Sequence, residues 1–410
     1  MPVKIIALIL LSTNFCFGRT IIVGPREAVS SIRKGIELSQ KGDTILLKKA
    51  LYKEQTILID KSLTLIGEDG VVIDGQNKFE IITISGQNIL IKNIQLQNAG
   101  NSTLNDFAAI KVIDGTNVQL NNIKVINSFF GIHVTNTTKF SLSNSIIKGV
   151  PKSEQMTGNG IHLWKCQSAT IINNFVTGHR DGIYFEFVTN SLITNNRSEQ
   201  NIRYGLHFMF SNDDTYTSNK FINNGAGVAV MYSKKVIMKS NYFEENWGPA
   251  AYGLLLKDIT DSDIQKNNFT KNTVGIHMEG SSRITIHQNI FRNNGWAAKV
   301  QASCDQNNFE RNNFFNNSFD IATNGSLVLN TFDHNYWDKY EGYDLNKDGI
   351  GDIPYHPVSM YAMIVEQNPN SLILFRSFLV SLLDKAEKAI PTLTPENLFD
   401  SSPAMKPHSL

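Results

Sequence analysis

Gly182-Ile183-Tyr184-Phe185, Gly205-Leu206-His207-Phe208, Gly227-Val228-Ala229-Val230, Gly253-Leu254-Leu255-Leu256 and Gly275-Ile276-His277-Met278 are versions of one phrase. Their glycines stand 23, 22, 26 and 22 residues apart, and self-similarity at such a period is the signature of a solenoid. Asn-rich polar segments, such as Asn195-Asn196 and Asn267-Asn268, separate the phrases. Glycine permits the tight corner into each strand, and Asn tolerates the left-handed backbone that corners need. Upstream the beat runs through Gly160, Gly131 and Ala109, with a polar insert, 151–158, in the longer step between the first two. Downstream it continues without glycine at Ala298 and Asp320. The beat predicts about ten coils, each too small to bury its own apolar face, so that stacking supplies the core.

Side chains alternate along a strand, which makes the phase readable. The positions one and three after each glycine are apolar throughout, from Ile132 and Val134 to Ile276 and Met278, so both face inward. The columns between face outward. One holds His133, His162, Tyr184, His207, Ala229, Leu255 and His277; the other holds Thr135, Trp164, Glu186, Met209, Met231, Lys257 and Glu279. The fold class is all-β, a parallel β-helix, right-handed because parallel crossovers favour that hand.

The rest of the chain frames this stretch. Residues 1–18 carry the pattern of a secretory signal: Lys4, a short apolar run over 5–11, and small residues up to Gly18. Residues 19–75 read as an N-terminal cap, with a helical pattern over 27–40 and first strands at Thr44 and Leu63. The β-helix proper spans 76–335, an acidic loop 336–358, and a helix plus extended tail 359–410. The helical pattern over 370–390 puts Leu372, Phe375, Leu379, Leu382 and Leu383 on one face, and its apolar core is too short for the ~20 residues of a spanning helix. That face and the tail, with Met405 and Lys406, suit docking to a partner. A net charge of +1 gives no electrostatic reason for a nucleic-acid partner.

Candidate chemistry gathers on the outward columns. His207 and Met209 are two apart on one strand, and Met231 holds the Met209 position one coil on, ~4.8 Å away. Two thioethers beside an imidazole form a soft site suited to Cu(I), whereas ordinary packing under a covering segment would use the same methionines as core. In the acidic loop, Asp344, Asn346, Asp348 and Asp352 match the front of a calcium loop with Gly349 at its sixth position, but Tyr355 stands where the bidentate Glu belongs. The alternative is an acidic turn held by its own hydrogen bonds. Cys166 and Cys304 share a column six coils apart, roughly 29 Å, beyond disulfide reach; they read as packing residues. Glycan chemistry needs paired carboxylates at a set separation. Asp213-Asp214 is the one adjacent acidic pair in a coil corner, without acidic neighbours on the next coil.

Residues 180–191, the phrases Arg203-Tyr204-Gly205-Leu206-His207-Phe208-Met209 and Gly227-Val228-Ala229-Val230-Met231-Tyr232, and the ending from Asn335 through Asp348-Gly349-Ile350-Gly351-Asp352 to Tyr355 resemble the NosD family. That resemblance implies an exported, periplasmic, non-enzymatic β-helix that matures the copper centre of nitrous oxide reductase. It further implies work beside the membrane and ATPase subunits of an ABC transporter, membrane association through that partner, and copper passing from a lipoprotein chaperone to the apo-reductase. His207, Met209 and Met231 are then the implied copper ligands. A carbohydrate-binding or carbohydrate-cleaving β-helix, and a scaffold that never touches copper, are the alternatives.

Overall fold

The computed structural model describes residues 18–101, 106–325, 329–389 and 398–410; most of the expected signal segment lies outside them. The chain winds as a right-handed parallel β-solenoid of about 14 turns. A 12-stranded sheet forms one face, and a 25-stranded sheet, joined through the long strands Gln87–Gln97 and Thr116–Ile126, forms the others. Fourteen turns rather than ten follow because the entrance is already solenoid: Ile21, Ile45, Leu65 and Ile91 stack in register without any glycine phrase.

The inward columns are as read. Ile132, Ile161, Ile183, Leu206, Val228, Leu254 and Ile276 are fully buried, and so are Val134 to Met278 three positions after the glycine. On another face Phe221, Phe243, Phe269, Phe291 and Phe314 stack down to Trp337 with ring centroids 4.0–5.6 Å apart. The glycines have a different cause from the one expected. Gly205 and Gly253 do not sit at positive φ; instead a Cβ on either would lie within 2.8 Å of the next coil's glycine carbonyl. Register also places Ala297, not Ala298, in the glycine column, since Ile276 pairs with Ala298.

Asparagine does two jobs. Asn195 adopts φ 55° at a corner, while its neighbour Asn196 is buried and accepts from the backbone N–H of Asn174 at 2.9 Å. The bond repeats coil after coil through Asn219, Asn241, Asn267, Asn289, Asn312 and Asn335. These ladders satisfy corner N–H groups that stacking buries, as interior polar groups require.

The ends are closed. Helix α1 (Ile32–Leu38) is capped by Ser31 Oγ, which accepts from Lys34 N at 3.2 Å, and buries Ile32 and Ile36 over the open core. At the other end the expected single helix over 370–390 is broken. Helix α2 (Met360–Gln367) comes first, then a 3-10 turn (Pro369–Leu374), then α3 (Phe378–Ala389). Pro369 restarts the chain after Asn368, and Arg376 at φ 62° prevents the turn from continuing into α3. The tail closes this end: Asp400, fully buried, accepts from Asn335 N at 2.9 Å and Trp337 Nε1 at 3.0 Å, ending the asparagine ladder.

Candidate functional site

Three consecutive strands of the 12-stranded sheet build the site: Ile183–Glu186, Tyr204–Met209 and Ala226–Met231. Register sets Tyr184 beside His207 and lines up Glu186, Met209 and Met231. The two methionines are therefore direct neighbours, as spacing implied, and both are partly exposed. The Tyr184 hydroxyl donates toward Met209 Sδ at 3.5 Å and lies 3.1 Å from Glu186 Oε2.

His207 departs from the expectation of a solvent-facing imidazole. It is 4% exposed, because Tyr204, the residue before the glycine, folds over it with ring centroids 4.8 Å apart, and Tyr184 packs edge-on at 5.0 Å. Neither ring nitrogen has a hydrogen-bond partner. Asp181, also fully buried, stands 3.6 Å from Nδ1, and its Oδ2 has no hydrogen-bond partner. Arg180 and Arg203 stand 3.8 and 3.9 Å from that carboxylate, the latter across coils, and Arg203 reaches Glu154 of the 151–158 insert at 3.3 Å. A buried imidazole without hydrogen-bond partners, two places along the strand from one thioether and one coil from a second, offers its one ring lone pair and two sulfurs as donors for a soft cation. Among the described residues no cluster of three or more His, Cys, Asp or Glu forms a metal-holding group; the donors here are sulfur and one nitrogen.

The remaining histidines of the column stack. His133 and His162 lie edge to face at 4.7 Å, and His162 continues onto Tyr184 at 4.7 Å. Burial holds both imidazoles below the ordinary range, His162 at about 3. His277 packs on Tyr252 and meets Gln301, while Glu279 pairs with Lys257.

The acidic loop spends its oxygens on itself. Asp344 accepts from the N–H groups of Lys347 and Gly349, Asp348 from Asn346 Nδ2 and Ile350 N, and Asp352 from Leu345 N. Cys166 and Cys304 are buried free thiols, and burial raises both pKa values. Asp214 of the acidic corner faces inward and is fully buried, which removes it from any surface chemistry.

Of the docking residues, Leu372 and Leu379 are exposed, Leu383 is half-buried, and Phe375 packs on Phe319 with centroids 5.7 Å apart. The tail is tied to the solenoid: Met405 N donates to Gly349 O and His408 exchanges hydrogen bonds with Asn313, while Lys406 stays exposed. Sequence reasoning missed the aromatic cover, Tyr204, because it lies out of phase with the alternation, one place before the glycine.

Residues 143–342 match the family model described as "Periplasmic copper-binding protein (NosD)", and residues 29–231 match that of the right-handed β-helix region. The chain is 28% identical over 368 residues to a probable ABC transporter binding protein NosD of Stutzerimonas stutzeri, covering 85% of this chain and 84% of the relative. The protein of the same name from Pseudomonas aeruginosa is 26% identical, covering 91% and 90%. Among solved structures, the catalytic unit of an α-1,3-glucanase of Streptomyces thermodiastaticus superposes with a TM-score of 0.64 at 14% identity, over 75% of this chain and 65% of that one. The A-module of a mannuronan C-5 epimerase of Azotobacter vinelandii gives 0.51 at 16%, over 75% and 91%. At such identities the structures speak for the fold alone. Among the described residues no helix is long and apolar enough to cross a membrane.

Proposed function

The chain is a NosD-type protein, and on that premise we propose that it is an exported, non-enzymatic copper handler that serves assembly of the copper centre of nitrous oxide reductase. The observation that carries this reading is His207 buried without a hydrogen-bond partner on either nitrogen, on the strand that ends in Met209 with Met231 alongside. Such a site binds Cu(I) without loop rearrangement, because rigid coils fix all three ligands. The shared description of both relatives as ABC transporter binding proteins supports work beside such a transporter, with Leu372, Phe375, Leu379 and Leu383 as the docking face toward its membrane part. Copper arrives on a small lipoprotein chaperone and leaves for the apo-reductase.

The test is an anaerobic Cu(I) competition titration of the mature chain beside a Met209→Leu/Met231→Leu variant, which keeps volume and deletes both sulfurs. Stoichiometric binding that disappears in the variant is the expected result. Binding that survives moves the ligands elsewhere, and no binding by either protein leaves the scaffold reading.

A further inference from the structure

Four buried polar atoms without hydrogen-bond partners gather in one place: both ring nitrogens of His207, Oδ2 of Asp181 and Nε of Arg180. Unsatisfied interior atoms ask for an explanation, and a group of them asks for a common one. Both the imidazole and the carboxylate are sealed from solvent, with Nδ1 3.6 Å from Oδ2. The other neighbours of the carboxylate are also held off. Arg180 and Arg203 offset its charge from 3.8 and 3.9 Å, and the Tyr204 N–H reaches Oδ1 at 3.4 Å. All of these exceed the about 2.7–3.2 Å of an ordinary N–H···O bond.

The fold does not require a carboxylate at this place, since the residue before the glycine is Phe130, Ala226 and Val274 on other coils. Two further His–carboxylate pairs are made directly and in the open. His287 lies 3.0 Å from Asp263 and His334 2.8 Å from Asp333, with side chains 28–43% exposed. Register also sets Asp181 and the second sulfur on opposite sides of His207. Asp181 belongs to the coil before, two places ahead of Ile183, which pairs with Leu206. Met231 belongs to the coil after, two places beyond Ala229, the register partner of His207.

We infer that Asp181 is a positioning residue for the copper site: its carboxylate accepts from His207 Nδ1–H and so leaves the lone pair of Nε2 to the metal beside Met209 and Met231. The inference rests on the copper reading above. A neutral imidazole has one N–H and one lone pair, so whichever nitrogen donates to the carboxylate leaves the other free to ligate. Carboxylates that hold ligating histidines this way fix the tautomer and the ring orientation and raise the basicity of the ligand. The 3.6 Å contact belongs to the metal-free chain, and it closes to an ordinary hydrogen bond when Nε2 takes the metal. Arg180 and Arg203 then serve as the countercharges that a buried carboxylate needs.

The test is a long-range proton–nitrogen NMR spectrum of the full mature chain with isotope-labelled histidine, metal-free and loaded anaerobically with Cu(I). His207 is assigned by the loss of its signals in His207→Gln. Cu(I) affinities of the parent, Asp181→Asn and Glu154→Gln are measured alongside. The expected result is a proton on Nδ1 and copper on Nε2 in the loaded parent. Asp181→Asn should bind Cu(I) at least about tenfold more weakly, and Glu154→Gln, which cuts only the outer ion pair of Arg203, as the parent does. Copper on Nδ1, or a folded Asp181→Asn with parent-like affinity, overturns the inference. So does an equal loss in Glu154→Gln, which makes the ion-pair network as a whole the cause. Should Asp181→Asn fail to fold, the parent spectrum decides alone. A parent that takes no Cu(I), or a Met209→Leu/Met231→Leu variant that binds it undiminished, sinks the copper reading and the inference with it; those failures show in chains that keep Asp181.

Discussion

Replacing Asp214 with Asn is expected to stabilise the protein, and more so as pH rises. The Asp214 carboxyl is fully buried; one oxygen accepts from Ser191 N at 2.8 Å and the other has no partner. Burial, with the nearby Asp213 charge adding to it, pushes its pKa to about 8, against about 3.9 unfolded. Between those values the folded chain holds a proton that the unfolded chain has released, so stability falls as pH climbs from about 4 to about 8. A gap of about four units at ~1.4 kcal/mol each sets a ceiling of about 6 kcal/mol, of which about 4 kcal/mol is already lost at pH 7. Asparagine removes the titration and has a precedent in its own column. Asn307 accepts from Ile284 N and donates to Ser281 O at 2.9 Å; by the same geometry Asn at 214 accepts from Ser191 N and donates to Val188 O. Thermal unfolding of both chains from pH 4.5 to 8.5 measures the effect. The variant should match the parent within about 1 kcal/mol at pH 4.5 and exceed it by about 3–5 kcal/mol at pH 8. A difference that does not change with pH, or a variant less stable at pH 8, refutes the reasoning.

Further outcomes follow from the same physics. Burial lowers His162 to about 3 and His179 to about 4, so their contribution is complete above the unfolded value near 6.5 and drains as pH falls toward 4; circular dichroism should show acid lability in that window. Asn241→Ala strips the acceptor from Asn219 N and the donor from Tyr216 O, and should cost on the order of 3 kcal/mol, read as hydrogen-exchange deprotection of the flanking coils before the rest. Phe243→Ala opens the middle of the ring stack and should cost about 3–5 kcal/mol by denaturant unfolding. Asp400→Ala leaves the last ladder rung uncapped, so exchange should quicken at Asn335 and Trp337 while the Gly205 coil stays protected.

Much of this was legible because a strand's two-residue period exposes its phase once glycine marks each coil. Leu206, Phe208, His207 and Met209 fell on the faces assigned to them. The entrance coils were harder: Ile21, Ile45 and Leu65 carry the stack with no glycine to mark it. Asn195 and Asn196 look alike in sequence, yet one turns the corner and the other ladders it, a distinction that only burial makes. The glycines were recognised with the wrong cause, since close approach between coils and positive φ select the same residue. In the C-terminal unit, Pro369 and Arg376 divide what period alone joined, and Ser359 caps α2 through Ala362 N at 3.1 Å, a start signal hidden behind a segment read as loop. His207 was placed on the correct face, but its burial depends on Tyr204, whose ring folds over it from three residues earlier on the same strand.

The central claim is that the sulfurs of Met209 and Met231 bind copper beside His207. X-ray absorption of the anaerobic Cu(I)-loaded protein tests it most directly, measured on the parent chain and on the Met209→Leu/Met231→Leu variant. The account predicts sulfur and imidazole scattering around copper in the parent and loss of the sulfur shell in the variant. A parent spectrum of nitrogen and oxygen alone, or a sulfur shell that persists without the two methionines, contradicts it.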